Sequence, residues 1–251
     1  MVKVMLCGCN GRMGRAVHNI IASEKNMEIV AGVDLFQKVD NPYPVYDSVN
    51  DVDVPCDVII DFSSSKTTDE LLDFCLQSGI PVVLCSTGLS DEQIAKVEEA
   101  SKNVAILRSG NMSLGVNLIV KMLGEMSKVL TDAGFDVEVV EKHHKMKMDA
   151  PSGTALMLAD AVNGANENKF EYVYDRTERR EVRPVNEIGI SAVRGGSIVG
   201  DHDVIFAGQD EVVTISHRAY SRALFAKGAV SAAYFLADKK AGLYTMQDVI
   251  G

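Results

Sequence analysis

Val2-Lys3-Val4-Met5-Leu6-Cys7-Gly8-Cys9-Asn10-Gly11-Arg12-Met13-Gly14 is the stretch on which the fold turns. A short apolar strand, Val2–Leu6, runs straight into a glycine loop. Met13, Val17, Ile20 and Ile21 then recur at helical spacing. Glycine lets a backbone turn tightly and come close to a phosphate. The N-terminus of the following helix offers backbone N–H groups and a partial positive charge. The spacing Gly8-x-x-Gly11-x-x-Gly14 is a variant of the dinucleotide fingerprint. A glycine loop alone is weak evidence, but an acid follows where the fingerprint needs one. Asp34 lies 20 residues past Gly14, at the end of a second strand, Glu28–Val33. A carboxylate there hydrogen-bonds a ribose diol and repels a 2′-phosphate, which favours NADH over NADPH. Leu35, not an arginine, comes next; Lys38 is near enough in sequence to soften the preference.

Outward from this loop the chain keeps alternating. Val58–Phe62 suits a strand buried on both faces. Leu71, Leu72 and Cys75 mark a helix, Pro81–Leu84 a strand, Ser90 to Gln93 a capping box that opens another helix, and Val104–Leu107 closes the series. The alternation predicts a parallel sheet with helices on both faces, a Rossmann-type dinucleotide-binding domain. Ligands lie beyond the carboxyl ends of such strands. That places Phe62-Ser63-Ser64 and Cys85-Ser86-Thr87-Gly88 at the cofactor cleft.

The second half has another rhythm. Leu118–Leu130 reads as a long amphipathic helix, and Phe135, Val137 and Val139 alternate with polar residues as in a half-buried strand. A helix is expected over about Thr154–Val162. Asn186–Val193, Ser197–Phe206 and Glu211–His217 are β-rich and joined by glycine turns. This predicts an α+β domain with an antiparallel or mixed sheet. Residues 164–185, with Arg176, Arg179 and Arg180, read as a solvated loop, and Ser221–Leu236 as a final Ala-rich helix able to pack on the first domain.

Bulk properties narrow the function. The 251 residues, 47% hydrophobic and 24% charged, suit two modest globular domains. No apolar run reaches the roughly 20 residues of a membrane span. The apolar N-terminus is too short for a signal peptide, so a cytoplasmic location is expected. A net charge of −10 disfavours nucleic acid. The five cysteines, Cys7, Cys9, Cys56, Cys75 and Cys85, are expected to be reduced thiols; Cys7-x-Cys9 has no second pair and is not a zinc spacing.

An acidic substrate would therefore need a local cationic pocket, and Glu141-Lys142-His143-His144-Lys145-Met146-Lys147-Met148-Asp149-Ala150-Pro151-Ser152-Gly153-Thr154 supplies one. It holds two of the five histidines and three lysines within six residues. It then opens a helix with hydroxyl caps whose N–H groups near Gly153 and Thr154 can bind a carboxylate. No acidic ligand set for a metal accompanies the histidines.

This segment closely resembles the dihydrodipicolinate reductase family, whose Glu-x-His-His-x-x-Lys-x-Asp-Ala-Pro-Ser-Gly-Thr-Ala is met from Glu141 to Ala155 without departure. The likeness extends to Gly8-x-x-Gly11-Arg12-Met13-Gly14, Asn111-Met112-Ser113-x-Gly115-Val116-Asn117, Val193-Arg194-x-Gly196-x-Ile198-Val199-Gly200-x-His202 and Gly242-Leu243-Tyr244-x-Met246-x-Asp248-Val249. Two departures stand out: Cys85-Ser86-Thr87-Gly88 replaces Gly-Thr-Thr-Gly, and Met112 replaces Phe.

The resemblance implies reduction of a small cyclic unsaturated dicarboxylate to tetrahydrodipicolinate with NADH or NADPH, in lysine biosynthesis. It implies His143 and Lys147 as acid–base residues. His144, Lys147, Ser152, Gly153, Thr154 and Arg222 would bind substrate. Gly8, Cys9, Asn10, Gly11, Arg12, Met13, Asp34, Phe62, Ser63, Cys85, Ser86, Thr87, Gly110, Asn111, Met112 and Ser113 would bind cofactor. It also implies a discontinuous first domain, residues 1–112 with 221–251. Residues 113–220 would form a substrate and oligomerisation domain whose sheet joins four copies. Two competing readings differ at this segment. Another two-domain dehydrogenase explains the first half but not the His143–Thr154 motif, and a catalytically silent dinucleotide sensor does not need Lys147.

Overall fold

The computed structural model describes residues 1–36 and 39–251, so Lys38 lies outside the described residues. The chain forms two compact units, Met1–Ser113 with Arg222–Gly251, and Leu114–Ser221. The first begins β1 (Val2–Cys7), α1 (Arg12–Ile21), β2 (Met27–Val33), β3 (Val45–Tyr46), β4 (Val58–Asp61), α2 (Thr68–Ser78), β5 (Val82–Leu84), α3 (Asp91–Ser101), β6 (Ala105–Arg108). The second holds α4 (Leu114–Asp132), β7 (Asp136–His143), α5 (Gly153–Ala165), β8 (Glu171–Val173), β9 (Glu187–Arg194), β10 (Gly200–Ala207), β11 (Val212–Ala219). The chain then returns to the first unit as α6 (Ala223–Leu236), β12 (Gly242–Tyr244) and α7 (Met246–Ile250).

The first sheet has the order β12-β6-β5-β4-β1-β2-β3 and is parallel throughout. Its central strand β4 is buried at all positions, as an apolar run covered on both faces must be. The capping box that opens α3 is present: the Ser90 hydroxyl accepts from Gln93 N–H, and the Gln93 side chain accepts from Ser90 N–H. Two expectations need correction. The Val104–Leu107 strand does not close the series, because β12 pairs beyond β6. Nor is the Ala-rich helix the last, because α7 follows it. Three-residue strands carry too little periodicity to be read from sequence. The small residues of α6 bring its backbone close to its neighbours: a Cβ at Gly228 would lie 1.6 Å from the Met112 carbonyl oxygen.

The second sheet has the order β11-β10-β7-β9-β8 and is mixed. β10 pairs antiparallel with β11 and β7, while β7–β9 and β9–β8 are parallel. One face carries Val137, Val139, Ile188, Ile190, Val204 and Phe206 and packs on Leu123 of α4 and Leu158 and Val162 of α5. Burial alternates strictly along β7 and β10, as a half-covered strand requires.

Residues 164–185 correct a third expectation, because they are not simply solvated. They contain β8, and three arginines tie the segment to the sheet. Arg176 makes a bidentate pair with Glu138 at 2.9 and 3.0 Å; Arg179 bonds Glu187; Arg183 bonds Glu138 at 3.0 Å and Asp136 at 2.6 Å. Gly189 makes room for this cluster, since a Cβ there would lie 1.9 Å from a Glu138 carboxylate oxygen. The acids are up to 47 positions away in sequence, so no local pattern announces them.

Candidate active site

In the first unit the glycine loop does what its spacing requires. Gly8 has φ +73, and a Cβ on it would stand 2.5 Å from the Phe62 carbonyl oxygen. A Cβ on Gly14 would stand 2.1 Å from the Gly8 carbonyl oxygen, so Gly14 lets α1 pack against the loop. Gly11 is the N-cap of α1 and supplies no side-chain cap, which leaves the helix N-terminus to the cleft. Asp34 stands at the end of β2. Its two carboxylate oxygens accept from Asn10 N–H at 2.9 Å and Phe36 N–H at 2.8 Å. Each oxygen keeps further lone pairs for a diol. Gly8, Gly11, Asp34, Leu35, Phe62 and Ser63 are among the walls of a cleft of about 280 Å³.

A second cleft in this unit, about 390 Å³, is lined by Met13, Phe62, Ser63, Cys85, Ser86, Thr87, Gly110, Asn111 and Met112, with Phe225 of α6. Nine candidate cofactor residues thus meet around one hollow. Ser113 is buried, and its N–H donates to the Asn111 side chain at 2.8 Å. Arg12 is exposed. Cys9 points elsewhere: it is fully buried, and a Cβ on Gly32 would lie 2.7 Å from its sulfur. Only its backbone belongs to the loop. Burial, with the nearby Asp34 charge, pushes its thiol up to about 11. Cys85 is raised well above the ordinary thiol value by burial and by Asp61. All five cysteines are free thiols.

Asp61 was not singled out in the sequence, yet it joins the two strand-end turns. It is the last residue of β4 and fully buried. One oxygen accepts from Ser63 N–H at 3.1 Å and from the Ser63 hydroxyl; the other accepts from the Ser86 hydroxyl at 2.6 Å. Burial raises its pKa, and the serine hydrogen bonds pull in the opposite direction. The signal was a lone acid at the end of the wholly apolar Val58-Ile59-Ile60.

In the second unit, β7 ends at His143, and the chain loops through His144–Pro151 to the start of α5. Strand alternation puts Glu141 and His143 on the face that meets α5, both buried. Glu141 is the hub. It accepts from both terminal nitrogens of Arg194 at 2.7 Å, from Ser152 N–H at 3.0 Å, and pairs with His143 Nδ1 at 2.6 Å. Burial favours its neutral form, but Arg194, His143 and Ser152 outweigh that and hold its pKa below the usual carboxylate range. With Nδ1 engaged, the reactive edge of His143 is Nε2. That atom lies where a Cβ on Gly200 would come within 3.0 Å, so glycine leaves it room. His202, from β10, packs edge-on against His143 with centroids 5.1 Å apart. Its Nε2 is 2.9 Å from the Ser152 hydroxyl. Burial, then the neighbouring His143, lowers its pKa to about 4.

The remaining candidates of the second unit lie near this hub. Lys147 Nζ bonds both oxygens of Asp149 at 2.8 and 2.9 Å, which lowers the Asp149 pKa. Arg194 also donates to the Asp149 carbonyl at 2.7 Å, pinning the loop. Among the described residues, the buried His144 Nδ1 has no hydrogen-bond partner. Ser152 is the N-cap of α5, its hydroxyl accepting from Ala155 N–H at 3.1 Å, with Gly153 and Thr154 in the first turn. Its side chain and N–H are therefore both engaged within the protein. Arg222 belongs to the first unit, where it is the exposed N-cap of α6. Glu141, Arg194 and His202 had been quoted only as parts of motifs. The readable signal was Glu141 itself, an acid two residues before His143 and so on the same strand face.

Comparison with known proteins bears on what this arrangement serves. The model of the dihydrodipicolinate reductase N-terminus matches residues 2–112, and that of its C-terminus residues 115–250. The 4-hydroxy-tetrahydrodipicolinate reductase of Caldanaerobacter subterraneus subsp. tengcongensis is 51% identical over 250 residues, covering 100% of this chain and 98% of that protein. That of Clostridium tetani is 47% identical over 246 residues, covering 98% and 96%. Among solved structures, dipicolinate-bound dihydrodipicolinate reductase from Paenisporosarcina sp. TG-14 superposes with a TM-score of 0.81 at 24% identity, over 100% of both chains. Diaminopimelate (DAP) dehydrogenase of C. glutamicum, in complex with DAP, gives 0.59 at 17%, over 100% of this chain and 95% of that one. These two likenesses concern the fold.

Proposed function

Because this chain belongs to the dihydrodipicolinate reductase family and is an oxidoreductase, we propose that it reduces 4-hydroxy-tetrahydrodipicolinate to tetrahydrodipicolinate, with NADH preferred over NADPH. The step belongs to lysine and diaminopimelate biosynthesis, and the enzyme acts in the cytoplasm as a homotetramer. The observation that carries the reading is the Glu141 hub, which holds His143 by Nδ1 and the start of α5 by Ser152.

The first unit fits a nicotinamide dinucleotide. The closeness of Gly8 to Phe62 and of Gly14 to Gly8 makes a cradle that any Cβ would fill. Gly11 and the start of α1 receive the pyrophosphate, and Asp34 receives the adenosine ribose diol. The second cleft, with Met13, Phe62 and Met112, takes the nicotinamide half. When bound, the cofactor supplies a hydride to the electron-poor conjugated imine of the substrate.

The second unit supplies charge and a proton. Its Lys147 and His144, together with the first turn of α5 at Gly153 and Thr154, hold the substrate carboxylates. An anion that draws Lys147 away from Asp149 exchanges one carboxylate partner for another, at small electrostatic cost. His143 and Lys147 move the proton that must follow the hydride. With the ionised Glu141 accepting at Nδ1, His143 takes up or releases it at Nε2.

The test couples the protein to the preceding synthase, which forms the unstable substrate in place from pyruvate and aspartate semialdehyde. Loss of reduced-nicotinamide absorbance is then followed with each cofactor. Enzyme-dependent loss, with kcat/KM for NADH above that for NADPH, is expected. Equal or reversed values would remove the role given to Asp34. No loss with either cofactor, where a known family member works, would remove the reaction.

A further inference from the structure

The Asp61–Ser86 pair has a chemical consequence for whatever occupies the second cleft. Asp61 stands at the end of β4, and Ser86 lies two residues past the end of β5, its parallel neighbour. The Ser86 hydroxyl is 2.6 Å from the Asp61 carboxylate. A carboxylate only accepts, so the hydroxyl proton lies between them. The other Asp61 oxygen is engaged by the Ser63 N–H and hydroxyl, so neither oxygen is left to turn towards the cleft. Ser86 therefore has its one proton committed and presents only lone pairs. It opens on a hollow also walled by the apolar side chains of Met13, Phe62, Met112 and Phe225, a setting for the faces of a flat ring. A ring substituent that reaches Ser86 must donate.

We propose that Ser86, oriented by Asp61, accepts a hydrogen bond from the primary carboxamide of the nicotinamide ring and so selects for that amide. Ser86 is the group in contact and Asp61 the positioning residue. The inference rests on the reading of this cleft as the nicotinamide half of the cofactor site. An acetyl group in place of the carboxamide has no N–H and turns either a methyl group or an oxygen lone pair towards the serine. Each leaves a polarised acceptor desolvated and unpaired, an effect of roughly tenfold in affinity.

The experiment is calorimetric titration of the intact chain with NADH, with the reduced 3-acetylpyridine analogue of NADH, and with ADP-ribose, which lacks the ring. Expected for the unaltered chain is NADH binding roughly tenfold tighter than the analogue. Ser86→Ala should weaken NADH by about the same factor, equalise the two and leave ADP-ribose unchanged. Ser86→Thr, which keeps the hydroxyl, should retain the discrimination. Asp61→Asn should lose most of it while ADP-ribose affinity reports that the cleft is intact. If Ser86→Ala still binds NADH and discriminates as the unaltered chain does, the proposal is overturned while the cleft reading stands. If NADH binds the unaltered chain no better than ADP-ribose does, the cleft reading itself is wrong.

Discussion

At Lys147 the side chain is held by a neighbour that a substrate can replace. Its ammonium bonds both oxygens of Asp149, and that acid is more than half exposed. A pair with one partner this open to solvent contributes little to stability. Lys147→Ala should therefore fold normally and bind NADH as before, yet lose a factor of about 10² or more in turnover, the worth of a positioned proton donor. Turnover within a few-fold of the parent in the coupled assay would remove Lys147 from the chemistry and revive the reading of a silent dinucleotide sensor. Glu141 is a different case. It is fully buried and balances Arg194, whose side chain keeps only 20% of its exposure. Glu141→Gln leaves that guanidinium with no carboxylate partner and loosens His143 and the start of α5 together. A loss of about 3 kcal/mol in denaturant unfolding is expected, with a turnover defect beyond what the lost folded fraction explains. An unfolding midpoint unchanged from the parent would contradict the hub.

Elements bring such residues together by register. On the covered face of the second sheet, His217 of β11 pairs with His202 of β10, which pairs with Glu141 of β7. Two residues along the same pair of strands, Gly200 of β10 lies beside the His143 ring and gives it space. This row sets a pH response. His202 is pushed down to about 4 by burial and by His143, and His217 is lowered by burial too. The folded chain therefore keeps these rings neutral at pH values where the unfolded chain protonates them. Stability is fully present above the ordinary histidine value near 6.5. It declines as pH falls from there towards 4 and loses nothing more from His202 below that. The His202 contribution amounts to about 3 kcal/mol by the end of that window. Urea unfolding at a series of pH values should follow this slope, and His202→Gln should flatten it. Glu141, held below the usual carboxylate range by Arg194, His143 and Ser152 against its burial, adds a loss in the same direction at lower pH, where carboxylates protonate.

At the scale of the whole molecule, the second sheet covers one face with α4 and α5, while Val140, Lys142, Asp203 and Ile205 alternate onto the other. Lys142 and Asp203 pair there at 2.7 Å, beside the apolar Val140 and Ile205. The proposed homotetramer would use this face. Sedimentation should report four times the chain mass, and Ile205→Asp should shift it to smaller species without changing the helical signal. A monomeric parent at micromolar concentration would end that assignment. Among the described residues no helix is long and apolar enough to cross a membrane.

Sequence by itself determined the fold class and the reaction family. It could do so because both rest on local patterns. A strand, a glycine loop and a helix follow one another within the first 21 residues, and the motif from Glu141 to Ala155 is contiguous. Parallel and mixed sheets were legible from the change in apolar period at the middle of the chain. Tertiary structure alone decided what distant positions do for each other. Asp61 holds Ser86 across 25 residues, Glu141 holds Arg194 across 53, and Arg183 turns a segment read as solvated into one bonded to β7 across 47. It also showed that the Cys9 side chain faces Gly32, and that β12 pairs beyond β6. The reason is physical. Periodicity and loop chemistry report the forces within one turn or strand, whereas a buried charge is stable only beside its partner, and the packed chain chooses that partner.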